Sequence, residues 1–202
     1  DYYLDTNKTH FTAEVLHCGE INHESNNISF SNEVISPPTH FVILDRTLFY
    51  PEGGGQLGDQ GYFHLDETRT ISVLDTKIEE GVIIHFTDGF VNNGRIDAEV
   101  DNIRRRQLMD HHTAIHIVGG AARDILGPHI RQAGSNKGQR YARIDLTHYS
   151  RMSRDLLDKI EDRANDIVQL NPTVEKIILD RKHQHIIAAL NQKIEKLLLI
   201  IR

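Results

Sequence analysis

The hydrophobic period of this 202-residue chain shifts from strand-like to helical close to residue 100, and that change limits its fold more than any other feature. Before it, apolar residues fall in short runs rich in Val, Ile, Phe and Tyr: HFTAEVLHC at 10–18, HFVILDRTLFY at 40–50, GYFHL at 61–65, TISVLDTKI at 70–78 and GVIIHF at 81–86. Asn26-Asn27, Pro37-Pro38 and Asn92-Asn93-Gly94 separate them as turn signals. Short strands at this spacing predict a small antiparallel barrel or sandwich. After the change, Leu108, Ile115, Val118, Ala122 and Ile125 recur at helical intervals, and Gly127-Pro128 ends that helix.

Two β-like runs follow, near 130–135 and 139–146, joined at Asn136-Lys137-Gly138 by a hairpin turn. A second helix starts at Ser153, a good N-cap, and runs through Leu156, Ile160, Ala164 and Ile167 to Asn171-Pro172. TVEKIIL at 173–179 reads as another strand. The expected class is α+β. A small N-terminal β-barrel occupies residues 1–98, and an α/β two-layer sandwich with a C-terminal helical tail occupies 99–202. In the tail, Ile187, Leu190, Ile194, Leu197 and Ile201 have the spacing of a coiled-coil seam, which would pair with a second copy or pack on its own domain.

Charge divides at the same place. Residues 1–100 carry 5 Lys and Arg against 17 Asp and Glu, whereas residues 101–202 carry 18 against 12. The basic half suits contact with phosphates, or is solvated surface. One cysteine, Cys18, excludes an internal disulfide and fits a reducing, cytoplasmic setting. No apolar run reaches the ~18 residues of a membrane span. The chain opens at Asp1 without methionine, as a piece of a longer protein would.

FYPEGGGQLGDQG, at 49–61, places five of the chain's 14 glycines between two predicted strands. Such a segment is a loop or tight corner, since glycine gives up the most backbone entropy on ordering. Lacking Cβ atoms at Gly54 and Gly55, the backbone can approach a small ligand and crowd out larger ones. Gln56 can donate to an ester carbonyl, and it can both donate to and accept from a water. The structural alternative is a corner needing positive φ angles, with Gln56 tying the loop down.

On the first helix, His112 and His116 stand four apart, so both imidazoles leave one face. That is the spacing by which a helix gives zinc two nitrogen ligands, and it also arises by chance. Zinc proteases need a glutamate directly after the first histidine; Thr113 stands there, which removes the protease reading. His111 points about 100° away from His112 and is expected to be exposed. Arg104, Arg105, Lys137 and Arg140 are candidates for phosphate contact. Three arginines in a row span about 200–300° of helix, so at most two of Arg104, Arg105 and Arg106 can face one ligand.

Taken in order, FYPEGGGQLGDQG, HHTAIH and HIRQAGSNKGQRYARIDLTHY resemble the editing domain of alanyl-tRNA synthetase and the free-standing AlaX-type editing proteins. The resemblance extends from about Tyr3 to Asp180. It implies a deacylase that removes serine or glycine wrongly attached to the alanine-specific tRNA. It also implies a zinc site built from HxxxH and a later CxxxH. His112 and His116 match the first pair, and no CxxxH occurs in this chain; His183 and His185 are substitute ligands or exposed residues. The second wall of the implied substrate site is Gln132 to Ser135, whose polar side chains suit a seryl hydroxyl. Ile115 stands where family members often carry threonine. Implied partners are the acceptor end of the tRNA and either a second copy or the remainder of a synthetase. A non-catalytic tRNA-binding or dimerisation module, lacking a complete zinc site, is the alternative.

Overall fold

Six short strands close on one another in the first half of the computed structural model, which describes residues 7–22, 29–30, 33–34, 36–172, 174–177 and 197–200. They are β1 (His10–Glu20), β2 (His40–Leu44), β3 (Gly61–His64), β4 (Thr70–Glu79), β5 (Val82–Thr87) and β6 (Gly94–Val100). The barrel order is β1-β2-β5-β4-β3-β6, with β6 returning to β1, and every pair within it is antiparallel. Closure leaves no free edge. Register shifts between Val15 and His17 and between Val73 and Asp75 mark irregularities in β1 and β4, where bulges add curvature.

The inward face follows the two-residue period. In β6, Ile96, Ala98 and Val100 are buried while Arg95 and Asp97 are exposed. Phe49 and Phe63 meet edge to face at 5.8 Å in the same core. His85 lies fully buried against both rings. Its Nδ1 donates to the Val42 carbonyl at 3.1 Å and its Nε2 accepts from the Thr47 hydroxyl at 2.8 Å. With both nitrogens satisfied the ring stays neutral, and burial lowers its pKa from 6.5 to about 4.

Helix α1 (Asn102–Leu126) follows the barrel, then β7 (Gln132–Lys137), β8 (Ala142–Leu146), α2 (Arg154–Gln169), β9 (Val174–Ile177) and β10 (Leu197–Ile200). Asp101 Oδ1 accepts from the Arg104 amide at the start of α1, and Gly127, at φ 109°, ends it. Ser153 Oγ accepts from the Leu156 amide and caps α2. Strands β7 and β8 form a hairpin whose tip, 138–141, is closed by Gly138 N–H to Tyr141 O at 3.0 Å, two residues later than the turn predicted at 136–138.

Contacts divide the chain into two compact units: Asp1–His111 with Asn136–Ala142, and His112–Ser135 with Arg143–Arg202. The second has its own core of Ile117, Ala121, Ala122, Ile130, Ile160, Ala164 and Ile167. Its α2 buries Ile160, Ala164 and Ile167, an apolar stripe at helical spacing. The predicted helical tail needs correction at its end. Leu197–Ile200 is a strand paired in parallel with Val174–Ile177, as suits a continuous apolar run. The remaining seam positions Ile187, Leu190, Ile194 and Ile201, and also His183 and His185, lie outside the described residues. Among the described residues no helix is long and apolar enough to cross a membrane.

Candidate functional site

In the first unit the glycine loop is a tight turn held by two reciprocal bonds, Gly53 N–H to Gln56 O at 3.0 Å and Gln56 N–H to Gly53 O at 2.9 Å. Gly54 and Gly55 are its central residues, at φ 58° and 77°. Two successive left-handed residues are what a primed hairpin turn requires, and glycine adopts them without strain. Gly58 serves differently: a Cβ there would lie 2.2 Å from Thr76 O, so the loop's exit presses backbone against β4.

Lys137 knits this turn to the tip of the β7–β8 hairpin. Its N–H donates to Gly55 O at 2.7 Å, its carbonyl accepts from Leu57 N–H at 3.2 Å, and its ammonium donates to Gly54 O. The side chain is 1% exposed, and burial pulls its pKa below the usual lysine value. Gln56 is 4% exposed, so its amide packs inside the unit and presents little surface to a ligand.

Arg104 and Arg105 correct the assignment to phosphate contact. Arg105 pairs with buried Asp59, giving Oδ2 its Nη2–H at 2.6 Å and its Nε–H at 3.0 Å, and it also donates to the carbonyls of Leu48 and Lys8. Asp59 Oδ2 accepts from the Tyr50 amide as well. Burial raises the Asp59 pKa while Arg105 and Tyr50 pull it back down. Arg104 donates to Glu33 Oε2 at 2.7 Å and to Gln139 Oε1 at 3.3 Å. These guanidiniums, at 2% and 4% exposure, anchor the first turn of α1 to the loop instead of facing solvent. Lys137 is withdrawn from phosphate contact for the same reason. Helical rotation decides the matter: with two of the three arginines turned inward, Arg106 points out and pairs with Asp110 at 3.2 Å. Of the four cations assigned to phosphate contact, Arg140 keeps an exposed side chain. His111 is not exposed as expected either; half-buried, it donates from Nδ1 to Gly138 O at 2.7 Å.

Asp59, Glu33 and Gln139, which hold this arrangement, were not among the predicted site residues. Asp59 had a visible signal, since it lies within the glycine motif itself. Glu33 had none, because its contacts with Arg104 and the Gln139 amide span 71 and 106 residues of sequence.

In the second unit, His112 and His116 leave one face of α1, their rings stacked at a centroid separation of 5.2 Å with planes 16° apart. Both are half-buried. Two imidazoles at i and i+4 have a spacing at which a helix can offer zinc two nitrogen ligands. Among the described residues no group of three or more His, Cys, Asp or Glu side chains gathers to hold a metal. On β7, Gln132 Nε2 donates to Ser135 Oγ at 3.0 Å, which brings the two predicted polar contacts together.

The comparisons agree with the motifs. The model of the tRNA synthetases class II (A) family matches residues 2–104. The alanine–tRNA ligase of Halobacterium salinarum is 42% identical over 175 residues, 86% of this chain and 18% of that protein. The alanine–tRNA ligase of Haloquadratum walsbyi is 42% identical over 182 residues, and that of Methanopyrus kandleri 38% over the same length, each covering 89% of this chain and 18% of the relative. The chain thus spans about a fifth of the length of the curated relatives it matches. Residues 2–104 include both the barrel and the glycine loop, and the identity continues past the histidine pair, so this chain belongs to the class II (A) tRNA synthetase family as a domain related to alanyl-tRNA synthetase.

Proposed function

We propose that this chain is the editing module of an alanyl-tRNA synthetase or of a free-standing relative, hydrolysing serine or glycine from mischarged tRNA(Ala). The observation that carries the proposal is the stacked His112/His116 pair on one face of α1, in a chain of this family. The two imidazoles would hold zinc with ligands or water from outside the described residues. Bound there, zinc would supply a positive coordination point for the terminal ribose or an attacking water.

The substrate is an activated ester, so orienting a water against its carbonyl accounts for much of the required acceleration. Water attack transfers a hydroxyl to the acyl carbon and releases the ribose hydroxyl with a proton, with no covalent enzyme intermediate. The bonded Gln132/Ser135 pair offers a hydroxyl and an amide into which a seryl hydroxyl can exchange. An alanyl methyl has no hydroxyl to exchange into that pair, so it forgoes the hydrogen bonds that a seryl group would make there.

The test is hydrolysis of Ser-tRNA(Ala) and Gly-tRNA(Ala) by the chain, with zinc measured by atomic emission. His112→Ala and His116→Ala should each lower bound zinc and hydrolysis together while tRNA binding persists. Wild-type protein that binds tRNA(Ala) without hydrolysing either ester would overturn the proposal in favour of a non-catalytic tRNA-binding module.

A further inference from the structure

A cluster outside this site lies at the open end of the β7–β8 hairpin, within the second unit. The pairing extends to Arg131 and Thr147: Thr147 N–H donates to Arg131 O at 2.9 Å, and Arg131 N–H donates to Thr147 Oγ1 at 2.9 Å. That brings His129 beside His148, with Nε2 and Nδ1 3.1 Å apart and the rings stacked at 5.4 Å and 26°. Tyr149 completes a triangle, its ring 4.6 Å from His148 and 5.4 Å from His129. The far nitrogen of His148 lies 3.4 Å from Ser150 Oγ. Despite these contacts Tyr149 is 87% exposed.

Two cations lie close by along the chain, Arg131 two residues after His129 and Arg151 two residues after Tyr149. Arg131 and Arg151 are exposed, and among the described residues neither forms an ion pair. Arg131 folds its guanidinium back onto the carbonyls of Pro128 and Ile130, on either side of His129. From Leu146 to Arg154 the sequence contains no carboxylate.

We propose that His129, His148 and Tyr149, with Arg131 and Arg151, form a docking surface for single-stranded RNA. Tyr149 stacks on a base and the two arginines meet the flanking phosphates. The proposal rests on the tRNA-contacting part of the reading above and not on hydrolysis. A lone exposed tyrosine would argue little, since scattered aromatic residues are common on surfaces. Here the phenol lies against two imidazoles that the Arg131–Thr147 pairing brings together, so the fold has already gathered three rings where a base would stack. An open π-face beside unpaired cations is the arrangement by which proteins hold unpaired nucleotides. A duplex offers its phosphates but keeps its base faces stacked, so it should bind less well.

The experiment is fluorescence anisotropy on the full chain, with a labelled unstructured oligoribonucleotide of about eight nucleotides and a blunt RNA duplex as the comparison. Neither carries an amino acid, so loss of hydrolysis cannot mimic loss of binding. Tyr149→Ala should weaken single-strand affinity roughly 5- to 150-fold, and Tyr149→Phe should keep it. Arg151→Gln should reduce the salt slope of log K by roughly 0.7, the share of one phosphate on a single strand. Wild-type affinity in Tyr149→Ala, an equal loss in Tyr149→Phe, or a preference for duplex would each overturn the proposal. Should Tyr149→Ala lower the melting temperature, the Arg151→Gln slope decides: a reduced slope supports the surface and an unchanged one removes it.

Discussion

Acidification should act on the barrel through two buried groups of opposite sign, His85 and Asp75. His85 is neutral in the fold with a pKa lowered by burial from 6.5 to about 4. Below 6.5 the unfolded chain takes up a proton that the folded chain refuses, so stability falls as pH drops, until the folded imidazole also titrates. At 1.36 kcal/mol per pKa unit, the loss between pH 7 and pH 4 is about 3 kcal/mol. Asp75 runs the other way. Burial raises its pKa from 3.8 to about 6, so the folded state takes up its proton first and gains roughly 2 kcal/mol over the same interval. The two contributions nearly cancel in the wild type. Asp75→Asn removes the opposing one, and its stability should fall with pH about 2 kcal/mol further than the wild type's between pH 7 and pH 4. His85→Gln should fall less than the wild type. The assay is urea unfolding at several pH values, followed on the methyl resonances of Val42 and Val73 so that the barrel is read alone. Parallel pH profiles for all three proteins would refute the reasoning, as would a steeper fall in His85→Gln than in Asp75→Asn.

Two further outcomes follow from the loop. Gly58→Ala sets a Cβ 2.2 Å from Thr76 O and should destabilise by about 3 kcal/mol or more, whereas Gly53→Ala, with 3.4 Å to the Tyr50 hydroxyl, should melt close to wild type; thermal denaturation distinguishes them. Arg105→Met strands the Asp59 carboxylate inside the barrel unit and should cost about 3–5 kcal/mol, while Arg106→Ala should change stability by less than about 0.5 kcal/mol, as urea titration would show.

The elements with strong local signals were legible from residue order. Ser153 and Asn171-Pro172 bracket α2 because capping and helix termination depend on neighbouring backbone groups. Gly127 ends α1 for a similar local reason. The His112/His116 pairing follows from helix geometry once the helix is known. Strand β6 was missed because its outward residues, Arg95, Asp97 and Glu99, are charged and its inward set includes alanine, so its hydrophobic signal is weak until β1 and β3 pair with it.

The roles of the cations depended on contacts across long stretches of chain. A run of three arginines has the same local character whether it faces phosphate or protein. Only the partners Asp59, 46 residues away, and Glu33, 71 residues away, turn two of them inward. Lys137 follows the same logic, since its buried ammonium is satisfied by the carbonyl of Gly54, 83 residues earlier. Local propensities, caps and spacing act through a few residues and can be read in order. Burial and the pairing of charge are properties of surfaces that come together only when the chain has folded.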